Sequence, residues 1–114
     1  MTNDASSPQR PGYAKARVCA SMAEVRSEVD RVDLMIVRLL AERQAYVDQA
    51  GVLKADRAAV RDEARIEDVI TKVLASAKTE GLDPEIAEPV FRLLIERAIA
   101  REFAVYDTKK SKQP

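Results

Sequence analysis

An all-α fold is predicted by three features of this sequence: an aliphatic composition poor in glycine, apolar residues at helical spacing, and boundary residues that start and stop helices. Hydrophobic residues make up 46% of the 114, yet only two are Phe, three are Tyr and none is Trp, so the core is expected to be Ala, Val, Leu and Ile. Three glycines leave little turn chemistry for a β-meander, and no alternating apolar pattern persists.

Taken in order, residues 1–20 form a polar lead punctuated by Pro8 and Pro11. Ser21 and Glu24 make an S-x-x-E capping box, in which each side chain satisfies the other's orphan backbone N–H, so helix 1 starts there. Its apolar stripe runs Val25, Val29, Val32, Ile36, Leu39, Leu40, Val47, Ala50 and Leu53, which carries the helix to about Ala55. Gly51 is either a weak point or a place of close approach. After a short connection over 56–60, Asp62 and Glu63 mark the start of helix 2. Its face is Ile66, Val69, Ile70, Val73, Leu74 and Ala77, and Gly81 ends it. Asp83 and Pro84 supply an N-cap and a first helical residue for helix 3. It is expected to run to about Tyr106, with a kink or restart at Pro89. Its stripe, Phe91, Leu94, Ile95, Ala98, Glu102 and Val105, holds an acid at a core position. The domain is therefore bounded at 21–107, and residues 108–114, with Lys109, Lys110 and Lys112, are assigned to a solvated basic tail.

Charge and composition exclude several function classes. Nineteen basic residues balance nineteen acidic ones, which argues against a polyelectrolyte partner such as nucleic acid or a membrane surface. With no His and the single Cys19, neither a metal centre nor triad chemistry is expected, and a cytoplasmic location is.

Basic residues on an apolar stripe are the chemical signal. Arg26, Arg43 and Lys54 are assigned to the inward stripe of helix 1 beside Val29, Ile36 and Leu40. A buried charge costs several kcal/mol unless it is paired or binds something, so the stripe reads as the floor of a site for an anion. Helix 1, at about 1.5 Å per residue, would also be about 50 Å long, more than the ~34 Å diameter expected of a compact chain this size. A second copy should therefore cover part of it. Arg26 lies about 25 Å along the axis from Arg43, so it is expected to serve the partner's site.

The run Val25-Arg26, Val29-Asp30, Val32-Asp33, Leu39-Leu40-Ala41-Glu42-Arg43, Lys54, Val60-Arg61-Asp62-Glu63-Ala64-Arg65, Gly81-Leu82-Asp83 and Phe91-Arg92-Leu93-Leu94-Ile95-Glu96 resembles the all-helical, AroQ-type chorismate mutases over residues 22–106. The resemblance implies a three-helix chain with a long first helix, intertwined as a homodimer. It also implies a cofactor-free enzyme of aromatic amino acid biosynthesis that rearranges dianionic chorismate to prephenate. On the same basis Arg43, Arg65 and the partner's Arg26 would hold carboxylates, and Lys54 the ether oxygen. Asp62 would contact the ligand hydroxyl, and Glu102 would face Lys54 where relatives carry Gln or Glu.

Two positions depart from the family pattern. Ile66 follows Arg65 where a Glu usually binds the ring hydroxyl, and Ala98 stands where Ser is common. The first of these, and the spacing of Lys54 and Arg65, resemble the isochorismate pyruvate lyases of the same fold, which make salicylate. Alternatives to the mutase are thus such a lyase, a mutase for an amino-substituted chorismate, or a non-catalytic helical dimerisation or regulatory module. Locally, Arg43 and Lys54 could instead snorkel, Arg65 could pair with Asp62 or Glu63, and Glu102 could form a structural ion pair with Lys54.

Overall fold

A computed structural model describes residues 15–112; positions 1–14 of the lead and residues 113–114 lie outside the described residues. Three helices account for most of it: α1 (Met22–Leu53), α2 (Glu63–Glu80) and α3 (Pro84–Ser111), with a single 3-10 turn at Arg57–Ala59 between α1 and α2. No strand occurs among the described residues.

The helix boundaries follow from their caps. Ser21 Oγ accepts the N–H of Glu24 at 3.2 Å, but the Glu24 carboxylate reaches back to the N–H of Ala20 at 3.0 Å, one residue beyond the expected partner. Asp62 and Asp83 cap α2 and α3 through their side chains, and Pro84 opens α3 where its missing N–H costs nothing. Gly81 closes α2 at φ 77°, a left-handed conformation that a Cβ disfavours.

Two expectations for α3 are corrected. The helix passes through Pro89 without a break. Pro89 is the sixth helical residue and exposed, so it removes one hydrogen bond near a helix end where the flanking turns still hold. The helix also continues past Tyr106 to Ser111, so Lys109 and Lys110 are helical, and Lys109 is bound to α1 and not solvated.

Helix α3 is the hub, with α1 packed on one side and α2 on another. The buried aliphatic core is Val60, Ile66, Ile70, Ile95 and Ile99, with Val69, Leu74, Phe91 and Phe103 packed around it. Ile66, Val69, Ile70 and Leu74 belong to the face expected for the second helix, and Phe91 and Ile95 to the stripe expected for the third; Ile99 and Phe103 stand one residue beyond the expected Ala98 and Glu102, and Val60 comes from the connection. Around the core, four bidentate arginine–carboxylate pairs tie other segments to α3: Asp48 to Arg101, Arg57 to Asp107, Arg61 to Glu96 and Glu67 to Arg92. Planar guanidinium forks fix orientation as well as distance.

Only the C-terminal half of α1 finds cover. Gly51 is buried against α3, where a Cβ would stand 2.9 Å from Val105 Cγ1, so the glycine marks a close approach. The N-terminal half projects away, leaving Val29 51% and Leu39 62% exposed along with Val25, Val32 and Ile36. The chain accordingly measures 66 × 28 × 20 Å with a radius of gyration of 19.0 Å. A compact chain of this length would have about 13 Å.

Candidate active site

A cavity of about 480 Å³ opens between the C-terminal half of α1, the start of α2 and the middle of α3. From α1 it takes Arg43, Tyr46 and Lys54; from the α2 start, Asp62, Arg65 and Ile66; from α3, Ala98 and Glu102. Apolar walls of Val60, Val69, Ile95 and Ile99 separate these polar groups from the core. Helical register explains the gathering. Arg43 and Lys54 are eleven residues apart, three turns and about 20° on an unbroken helix, and both face α3.

Lys54 Nζ donates to Glu102 Oε1 at 2.6 Å, and Glu102 is 9% exposed. Lys54 is the residue just after α1, where the backbone turns extended, so its side chain folds back over the close approach at Gly51 towards α3. Arg43 makes no ion pair among the described residues and is half-buried at the cavity edge. Its guanidinium is the cation left available to an anion. Arg65 is exposed and pairs with Asp68 at 2.7 Å, one helical turn on and not with Asp62 or Glu63. Asp68 also receives Lys72, and these two cations hold its carboxyl below the usual carboxylate range. Asp62 commits Oδ1 to the N–H of Arg65 at 3.1 Å, so its carboxylate is occupied in capping and its backbone stays at the cavity mouth.

Ile66 and Ala98 face the cavity as apolar surface, and the residue named with them in the sequence, Arg26, does not reach it. Its assignment to the same stripe as Arg43 is corrected by the unbroken helix. Seventeen residues at about 100° each leave the two about 100° apart around the axis, as well as about 25 Å along it. Arg26 is exposed and makes no ion pair among the described residues. Sequence reasoning missed Tyr46, which lines the cavity one turn after Arg43; that i, i+3 spacing was the available signal. Among the described residues, no group of three or more His, Cys, Asp or Glu is placed to hold a metal ion.

The arrangement offers fixed cations and an acid on a ligand-sized pocket, without a nucleophile beside a base. The sequence profile of the family described as Chorismate mutase type II matches residues 25–103, a span containing every cavity residue named above. The chain belongs to that family. Among chorismate mutase type II relatives, the isochorismate pyruvate lyase of Pseudomonas aeruginosa is 33% identical over 84 residues, covering 74% of this chain and 83% of the lyase. The chorismate mutase of Methanocaldococcus jannaschii is 24% identical over 95 residues, covering 81% of this chain and 96% of the mutase. A bifunctional chorismate mutase/prephenate dehydratase of Buchnera aphidicola is 31% identical over 83 residues, 72% of this chain but 22% of the larger enzyme. The names of these relatives are those of enzymes acting on chorismate or isochorismate, and this chain is all-α among its described residues.

Proposed function

We propose that this protein is a chorismate mutase, converting chorismate to prephenate in a cavity built around the Lys54–Glu102 pair. The observation that carries this reading is the cavity's composition: Arg43, Lys54 and Arg65 ring one pocket that also holds Tyr46, Asp62 and Glu102 on otherwise apolar walls. In the rearrangement a C–O bond breaks as a C–C bond forms within one molecule, so no proton need be lost and no covalent intermediate is required. The enzyme's task is to hold the substrate in its reactive shape and to stabilise charge that develops on the ether oxygen. Arg43 and Arg65 serve as carboxylate forks and Lys54 as a point cation for the ether oxygen. Glu102 accepts from the Lys54 ammonium and turns it inward.

The catalytic unit in this reading is a homodimer. The uncovered apolar half of α1 and the extended shape of the single chain support it, because a second copy would bury what the first exposes. Arg26 of one subunit then completes the other's site as the third carboxylate ligand. No helix among the described residues is long and apolar enough to cross a membrane, and a cytoplasmic location is part of the proposal.

A second reading rests on a specific observation. Ile66 puts an aliphatic side chain on the cavity wall beside Arg65, and the lyase relative is 33% identical over most of both chains. Elimination of pyruvate from isochorismate is therefore the runner-up. Incubating the protein separately with chorismate and isochorismate, and following prephenate and salicylate, decides between them. Prephenate from chorismate at a rate well above the uncatalysed one supports the mutase; salicylate alone transfers the site to the lyase reaction. Turnover of neither, by a folded dimer, leaves a non-catalytic helical module.

A further inference from the structure

The end of α1 presents a problem of its own that the catalytic reading does not absorb. A helix C-terminus leaves carbonyls without intrahelical donors, and the last turn of α1 contains no basic residue to serve them. The donors come instead from α3. Lys109 Nζ donates to the carbonyl of Val52 at 2.8 Å and to the carbonyl of Lys54 at 2.8 Å, and it lies 4.4 Å from the centre of the Tyr106 ring. Those three contacts match the three N–H bonds of an ammonium group. Tyr106, buried beneath it, donates its hydroxyl to the carbonyl of Ala55 at 3.4 Å.

Glu102, Tyr106 and Lys109 are spaced four and three residues apart, so they form one stripe along the last turns of α3. Lys54 is consequently gripped at two places by one helix: its ammonium by Glu102 and its own carbonyl by Lys109. The first contact is one a substrate must compete with or share. The second engages only the backbone of Lys54 and stays outside the cavity, since Lys109 does not line it.

We propose that Lys109 is a positioning residue for Lys54, clasping the end of α1 so that the Lys54 side chain swings from a fixed backbone when it leaves Glu102 for a substrate. This rests on the reading of Lys54 as a substrate-binding cation. Lys112, also near this end of α3, caps α3 itself through its backbone and takes no part in the clasp. Orientation errors of about 1 Å cost up to a hundredfold in rate, so losing a clasp on the backbone of one cation should cost less than losing the cation.

The test compares Lys109→Met, which keeps the stem and loses the donors, with Lys109→Arg, which keeps them, and with Lys110→Met on the exposed side as control. Two readouts are taken on the full chain: hydrogen exchange of individual amides, and kcat and KM on chorismate and on isochorismate. Lys109→Met is expected to speed exchange of the Lys54 amide at least tenfold while mid-α2 amides keep their rates. It should lower kcat about tenfold with KM within twofold, and Lys109→Arg should regain most of both. Lys110→Met should leave both unchanged. Wild-type exchange at Lys54 in the Met variant overturns the clasp. So does a uniform rise over all three helices, or an Arg variant as impaired as Met, because either would make Lys109 an ordinary stability contact. Should the wild type turn over neither substrate, the functional reading falls by itself, and the proposal falls with its catalytic half even where exchange shows the backbone contact.

Discussion

Lys54 Nζ and Glu102 Oε1 stand 2.6 Å apart across the crossing of α1 and α3. The pair is half-shielded on the lysine side and nearly buried on the glutamate side, so each charge answers for the other's desolvation. The cation assigned to the ether oxygen is thus held by Glu102. A substrate must therefore draw Lys54 away from Glu102 or share it.

That relationship gives a test for the mutase. As a carboxylate Glu102 only accepts from Lys54, whereas an amide in its place also donates and holds the ammonium less tightly. Glu102→Gln should therefore retain catalytic efficiency on chorismate at neutral pH, while Lys54→Ala loses at least about a hundredfold. A Gln variant as impaired as Lys54→Ala would show instead that the charge of the carboxylate is what holds Lys54 in place.

Arg26 offers a test that needs no structure of the dimer. Arg26→Ala and Lys54→Ala should each lose at least about a hundredfold in efficiency, the scale of removing one electrostatic stabiliser. Mixed together, the two variants should regain part of it, since one of the two sites in a heterodimer carries both wild-type residues. Light scattering should report about twice the 12.7 kDa chain mass. Proven subunit exchange without any regain would remove Arg26 from the partner's site.

Gly51 should resist enlargement. Alanine would gain about 1 kcal/mol of helix propensity, but its Cβ would stand 2.9 Å from Val105 Cγ1 and 3.2 Å from the Glu102 carbonyl. Overpacking of that kind costs about 1–3 kcal/mol, so a net loss of up to about 2 kcal/mol is expected by urea unfolding. Val105→Ala should cost less in the Gly51→Ala background than in wild type, because it removes the Cγ1 contact at 2.9 Å while the Cβ contact at 3.0 Å remains; strictly additive losses would show that the crossing yields elsewhere.

Acid should loosen the hub before it unfolds the helices. The guanidinium forks hold Asp48, Glu67, Glu96 and Asp107 below the ordinary carboxylate range, by charge-assisted hydrogen bonds from Arg101, Arg92, Arg61 and Arg57 respectively. Groups depressed in the folded state contribute stability above their unfolded values and lose it as pH falls through the folded ones. The melting temperature should thus be insensitive to these four groups between about pH 8 and 6 and decline below about 4. Because Glu67, Glu96 and Asp107 are exposed and Asp48 is partly so, about 0.5 M salt should shrink that contribution, and Asp48→Asn should remove only its share. Identical acid limbs at low and high salt would contradict the assignment.

Local chemistry made much of this architecture legible. Ser21, Asp62, Gly81, Asp83 and Pro84 each announce a boundary through a property the residue carries wherever it sits, and the helices begin and end within a few residues of them. The face of α2 and the first part of the α3 stripe were likewise readable because the chain itself buries them, whereas Ile99 and Phe103 take core places beside the expected Ala98 and Glu102. Where tertiary contacts decide, sequence fell short. Nothing local says that α3 should run on past Tyr106; the reason is the unserved end of another helix, which Lys109 meets. Pro89 looked like a break because its effect depends on how exposed that turn is. Arg26 was drawn onto the stripe of Arg43, although the two face different directions on the same rod. Arg43 and Lys54 were found by their charge on the α1 stripe and Glu102 by its place on the α3 stripe, whereas Asp62, Arg65, Ile66 and Ala98 were found by ordered resemblance, since no single one of them is distinctive alone.

The exposed half of α1 has a last consequence, for how this protein holds together at low abundance. A lone chain keeps a core of five buried aliphatic residues and leaves much of its longest helix wet. Chain entropy of about 1–2 kcal/mol per ordered residue must then be offset largely by surface from another copy. In the proposed assembly, folding and pairing become one equilibrium governed by mass action, and the melting temperature climbs with protein concentration. Dilution would act on such a protein as heat does.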